Sequence, residues 1–359
     1  MSSTAATMTY SSMLRRGPVA LGLLGTATLL MMAMAVGIGS VGIPLDDVVS
    51  ILLASLGVDS GGAFSQQQEL VLLYIRLPRV LLGALIGAAL GVSGALMQGL
   101  FRNPLAEPGL VGVSAGSAMF AVLFIVLGGA LALPPVIQMH ALSIAAFAGG
   151  LVTTFIVYGL ATRSGRTAVA TLLLAGVALG ALAGAVTGLM FFLADDAQLR
   201  TITFWTMGSL GGATWTSLAG AAPLLLFGIL GAPFLARSLN AMLLGEAEAY
   251  HLGVRTEQAK RITIVLVALA VGASVAAAGV IGFVGLIVPH LARLLLGPDH
   301  RMLIPASALI GAILLLSADL IARTIVAPAE LPIGIVTALA GAPFFLWLLL
   351  RERPSEHWA

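Results

Sequence analysis

The residues able to do chemistry with charge sit in a few short stretches. Arg76 and Arg79 stand three apart in RLPR, Asp319 stands four before Arg323 in ADLIAR, and Asn103 and Glu107 belong to the polar knot NPLAEP at 103–108. The first pair stands at one end of an apolar run, where arginines can anchor at the membrane interface by snorkelling. Residues four apart share a helix face, so Asp319 and Arg323 can pair locally, or the acid can serve as a proton site. In the knot, Pro104 and Pro108 fix φ while Asn103 and Glu107 can satisfy the helix ends that a tight turn exposes. The five histidines form no H-E-x-x-H or comparable metal spacing. Lys260, in EQAKR, has no glycine loop before it, so no phosphate cradle is legible. Neither catalytic residues nor a metal site are expected, and any energy source lies in a partner.

The surroundings explain why so few charges matter. Of 359 residues 59% are hydrophobic and 9% charged, with mean hydropathy +1.08, which describes a polytopic membrane protein. Cysteine is absent, which removes disulfides, thiolate metal sites and a cysteine nucleophile. A net charge of +2 and a pI near 9.4 are what basic cytoplasmic loops produce.

A span needs about 20 apolar residues to cross a core roughly 30 Å thick. The sequence then divides into ten: 17–40, 80–98, 109–130, 136–160, 168–193, 214–236, 262–279, 280–296, 303–325 and 332–350. The stretch 262–296 is too long for one ordinary helix, and Gly279, Gly282 and Gly285 offer places to break it. The first span follows Arg15 and Arg16 and reads as a retained helix, because its apolar run exceeds that of a cleaved signal. Residues 1–16 read as a cytoplasmic tail, 17–351 as one ten-helix domain and 352–359 as a second cytoplasmic tail. With both termini inside, thirteen of the 17 basic residues face the cytoplasm and only Arg76, Arg79, Arg200 and Arg323 face outward. RLPR is therefore expected outside and NPLAEP inside. Of the acids, Asp319 alone is expected within a span.

Glycine and alanine crowd the spans, as in GALIGAALGVSGAL at 83–96, which suits close helix packing. A faint similarity between 83–113 and 266–296 suggests an inverted repeat. The longest cytoplasmic loop, 237–261, carries Glu246, Glu248, Gly253 and Arg255. Residues 240–251 are expected to form a short helix that Gly253 ends in a left-handed cap, giving either a rigid knob for a soluble motor or a solvated connector.

Taken in order, RLPR, GALMQGLFRNPLAEPGLVGVSAG at 94–116, LLLAGVALG at 172–180, LGE…LG at 244–253, GFVGLIVPHLARLLLG at 282–297 and ADLIAR…ELPIGIVTALAGAPFFLWLL at 318–349 resemble the permease subunits of bacterial ABC importers for iron-siderophores, cobalamin and heme, the FecCD family. The segment LADDAQLRTITFWTMGSLGGATW at 193–215 is most like the heme branch. The resemblance implies an all-α permease of ten helices with an inverted repeat, the type II ABC importer architecture. It also implies a bacterial inner-membrane location, a homodimer, two cytoplasmic ATPases that bind ATP and Mg²⁺, and a periplasmic binding protein that delivers heme. It assigns Arg76, Arg79 and Arg323 to docking of that binding protein, against a reading of the first two as interfacial anchors. Glu246, Glu248, Gly253 and Arg255 become ATPase coupling residues, and Asn103 and Leu105 a cytoplasmic gate. The gate departs from the family's hydroxyl pattern at Val169 and Ala170. His140 is placed as a possible contact for the cargo's iron, or as a structural histidine. Siderophore or cobalamin cargo stays open, as does an ion-coupled transporter relying on Asp319.

Overall fold

A computed structural model describes residues 3–39, 42–58, 64–131 and 133–351. Among the described residues the chain is built of helices and their connecting loops, with one two-stranded hairpin. Its elements are α1 (Ser3–Gly37), α2 (Leu45–Ser55), α3 (Gln66–Leu70), α4 (Leu77–Phe101), α5 (Val113–Leu127), α6 (Pro135–Ala161), β1 (Thr162–Arg163), β2 (Arg166–Thr167), α7 (Val169–Leu193), α8 (Asp196–Thr206), α9 (Trp215–Gly231), α10 (Ala236–Met242), α11 (Glu246–His251), α12 (Thr256–Ala278), α13 (Val284–Leu296), α14 (His300–Thr324) and α15 (Ile333–Arg351). A π turn, Val71–Arg76, joins α3 to α4.

Every expected span meets a helix. Among the described residues, eight helical segments are long and apolar enough to cross a membrane, and the eighth and tenth expected spans are the shorter apolar helices Val284–Leu296 and Ile333–Trp347. Residues 3–16, read as a cytoplasmic tail, are helical and continuous with the first span. The tail at 352–359 lies outside the described residues. The long apolar stretch breaks at Gly279, whose φ of +73° ends α12, and α13 begins after Phe283, itself at φ +68°. Gly285 lies inside α13 and makes no break.

The core forms around α4, which packs on α14, α13, α12 and α9. Small residues make this possible. Gly87 meets Gly311 of α14, and Gly94 meets Gly285 of α13, so closely that a Cβ at either would strike backbone. Where lipid removes the hydrophobic drive between helices, this intimate van der Waals contact is what holds them.

The suspected repeat has a structural counterpart. In each half a long helix, α4 or α12, runs into an irregular stretch and then a shorter helix, α5 or α13. The stretch 102–112 turns back into the bundle: Pro108 lies against Gly285, Leu110 against Gly176 of α7, and Gly112 against Thr153 and Val157 of α6. The end of this stretch is therefore held inside the body, where neighbouring helices shield its backbone, while Arg102, Asn103 and Pro104 stay exposed.

Candidate functional site

Polar side chains gather at three places. At the Arg79 end of the bundle, Arg79 donates from Nε and Nη2 to Asp319 Oδ1, at 3.0 and 2.9 Å, and from Nη1 and Nη2 to the Glu330 carboxylate, at 2.8 and 3.1 Å. Arg323 Nη2 donates to Ala35 O at 2.5 Å, and its Nε lies 3.6 Å from Asp319 Oδ2. Arg76 Nη1 donates to Val36 O at 2.9 Å and Gly37 O at 2.8 Å. Two arginines thus satisfy the last carbonyls of α1, where the helix dipole also favours a cation.

This geometry corrects the outward display expected of these arginines. Arg76, Arg79 and Arg323 are only 3%, 6% and 7% exposed. A guanidinium at a protein's apolar margin is held where carboxylates and orphan carbonyls replace its water. The expected pair of Asp319 and Arg323 exists, but the shorter contacts of Asp319 are with Arg79. Glu330, whose side chain is 42% exposed, is the network's accessible member. Sequence reasoning assigned it no role; its only signal was its place in ELPIG.

At the opposite end, Arg102 ends α4 in the left-handed region at φ +49°. Asn103 Oδ1 accepts from Leu105 N at 2.9 Å, and Asn103 O accepts from Ala106 N at 3.1 Å, so the turn is held by its own groups. Asn103 is exposed and Leu105 half-buried, with Val169 and Ala170 opening α7. A cavity of about 200 Å³ beside the turn is lined by Gln98, Arg102, Asn103, Arg293 and His300, among others. Glu107 does not cap a helix end as expected. It reaches the backbone of Phe283, and burial pushes its carboxyl above the ordinary range, opposed by that hydrogen bond.

The third place is the loop of 237–261. The single helix expected over 240–251 is two, α10 and α11, broken at Gly245. Gly245 has φ +126°, a conformation that strains any other residue, and the Glu248 carboxylate lies where a Cβ would go. Gly253, at φ +82°, provides the expected left-handed end. Asn240 anchors α10 by donating to Asp299 Oδ1 at 2.6 Å and accepting from His300 N at 2.9 Å. Glu248 and Arg255 are exposed, as are Leu244, Tyr250 and Leu252, so the knob shows an apolar surface rimmed by charge.

Glu246 is committed inward. Lys260 Nζ donates to Glu246 Oε2 at 2.7 Å, to Glu257 Oε1 at 2.9 Å and to Thr167 O at 2.9 Å. Glu257 Oε2 accepts from Thr167 N at 2.8 Å. Sequence reading noted Lys260 as one of the basic residues of this loop and for the phosphate loop it lacks, and gave it no role. Its being the chain's single lysine, three residues after an acid, was the available signal. His140 stands exposed on α6.

These features have counterparts in known proteins. The sequence pattern of the FecCD transport family matches residues 27–351. The hemin transport system permease protein HmuU of Yersinia pestis is 50% identical over 284 residues, covering 79% of this chain and 84% of that protein. The vitamin B12 import system permease protein BtuC of Vibrio cholerae is 43% identical over 312 residues, covering 86% and 91%. Among solved structures, a metal-chelate type ABC transporter in an inward-facing conformation superimposes with a TM-score of 0.80 at 32% identity, covering 93% of this chain and 99% of that one. With a match over nearly its whole length, this chain belongs to the FecCD transport family, the permeases of ABC importers.

Proposed function

We propose that this chain is the membrane-spanning subunit of an ATP-driven importer that moves heme from a periplasmic binding protein into the cytoplasm by alternating access. The observation that carries the reading is the knob α10–α11: a rigid element with exposed Leu244, Tyr250 and Leu252, anchored through Asn240 and Lys260 to the helices behind it. A soluble motor needs such a handle. Glu248, Gly253 and Arg255 take part in docking the ATPase, and Glu246 positions the handle from within.

Heme is favoured as cargo by the 50% identity to a hemin permease. Cobalamin or a ferric siderophore is the second reading, favoured by the 43% identity to a vitamin B12 permease over a longer alignment. The chain crosses the bacterial inner membrane ten times, counting α13 and α15, with both termini cytoplasmic. It works as a homodimer with two ATPases, which hold ATP and Mg²⁺. In support of a second copy, α7 exposes Leu174, Val177 and Leu182, and Gly180, Gly184 and Gly188 have open space before them. Asn103 and Leu105 form the cytoplasmic gate, and His140 is the candidate contact for iron.

The binding protein docks at the Arg79 end. Because Arg76, Arg79 and Arg323 are buried, they organise this face, and acidic groups of the partner compete with Glu330 for Arg79. Proteoliposomes holding this chain and its ATPase, with ATP inside, test the cargo by separate supply of heme, cobalamin and a ferric siderophore on their binding proteins. Accumulation of heme alone is the expected result; accumulation of another cargo overturns the assignment to heme while keeping the mechanism.

A further inference from the structure

Lys260 is 1% exposed and is the largest fully buried side chain among the described residues. An ammonium removed from water is costly unless paired and fully hydrogen-bonded. Here three acceptors surround it, and they belong to three elements: Glu246 to α11, Glu257 to α12, and the Thr167 carbonyl to the hairpin strand that leads into α7. Thr167 is held at both backbone groups, since its N–H donates to Glu257 while its carbonyl accepts from Lys260. The hairpin is also closed on itself, with Thr162 Oγ1 3.0 Å from Thr167 Oγ1 and Ala168 N donating to Ala161 O at 3.0 Å. Slack is therefore small between the knob and Val169, where α7 begins. That helix carries the open apolar and glycine face described above.

We propose that Lys260 is a positioning residue for transport: it straps the coupling helix α11 to the N-terminal end of α7, so that a displacement of the knob is delivered to that helix. The proposal rests on the reading of α10–α11 as the ATPase handle. Its physical content is a short chain of charge-assisted bonds between rigid elements, which moves as one body when α11 moves. A side chain that only filled the core would be replaceable by methionine, of similar length and apolar character. A strap would not, because the three acceptors need a multivalent donor. Arginine supplies one, with a fork able to reach both carboxylates.

The chain has no cysteine, so paired labels can be introduced cleanly. Spin labels at Ala247→Cys on α11 and Arg166→Cys on the hairpin, both exposed positions, read the strap directly in the full chain assembled with its ATPase. Their separation is expected to stay within about 2 Å between nucleotide-free and ATP-bound states, and to broaden or shift in Lys260→Met. In the same preparations, the ATP hydrolysed per cargo molecule taken up is expected to rise about tenfold in Lys260→Met and to return toward the native ratio in Lys260→Arg. Labels that separate on ATP binding in the native background, or a native ratio in Lys260→Met, would overturn the strap. Should the native pair show no ATP-driven uptake, the importer reading falls, and the label separation still decides whether α11 and the hairpin are one body.

Discussion

Arg79 and Asp319, 240 residues apart in sequence, form a buried fork in which Nε and Nη2 of the arginine converge on one carboxylate oxygen at 3.0 and 2.9 Å. The contact joins the start of α4 to the far end of α14. It gives Asp319 a partner on each side, Arg79 and Arg323.

Removing one member of that pair should be expensive. Breaking a buried ion pair costs about 3–5 kcal/mol because the remaining charge is left unmatched. Asp319→Asn should therefore lower the melting temperature of the detergent-solubilised protein markedly, and Glu330→Gln, at the half-exposed side of the fork, should lower it much less. Equal shifts for the two would contradict the assignment of Asp319 as the buried anchor.

Glu107 should leave a trace in the pH dependence of stability. Burial raises its carboxyl above the ordinary 4.5. A group whose pKa is raised by folding contributes stability below its unfolded value and loses that contribution as pH rises through the folded value. Glu107→Gln should flatten the decline in melting temperature above about pH 4.5 and should be no less stable than the native protein at neutral pH. An unchanged slope would show that the acid is well solvated.

The glycine contacts of α4 predict an abrupt failure. Gly94 approaches the backbone of Gly285, which cannot move aside as a flexible side chain would. Gly94→Val should abolish recovery of folded protein, whereas Gly184→Ala, on the open face of α7, should fold normally. Folded Gly94→Val with native thermal stability would mean that α4 and α13 do not pack this closely.

Gly245 calls for a different outcome. At φ +126° an alanine there is strained by about 1–3 kcal/mol and displaces the Glu248 carboxylate. Because the strain is confined to the knob, Gly245→Ala should weaken retention of the ATPase subunit on copurification while the bundle keeps its melting temperature. Undiminished copurification would separate Gly245 from the docking geometry.

The membrane segments were legible because each is a run of apolar residues, and the break at Gly279 because glycine tolerates the φ it needs. Gly253 was legible for the same reason. Gly245 was not, since helical residues on both sides, LNAML and EAEAYH, read as one continuous helix. The capping box of α8, Asp195 with Gln198, was present as a local signal in a segment read only as an outer loop. The inward turn of the arginines had no local signal: Arg79 meets Glu330, 251 residues away, and no periodicity reports such a pairing. Lys260 likewise reaches Thr167 across 93 residues.

The source of energy is the central claim, and uptake into proteoliposomes with all ion gradients collapsed by ionophores tests it most directly. With ATP enclosed, and the ATPase and binding protein present, cargo should accumulate at the rate seen without ionophore and should stop when a non-hydrolysable ATP analogue replaces ATP. Uptake that ignores ATP and disappears with the proton or sodium gradient would contradict the account and make this chain an ion-coupled carrier.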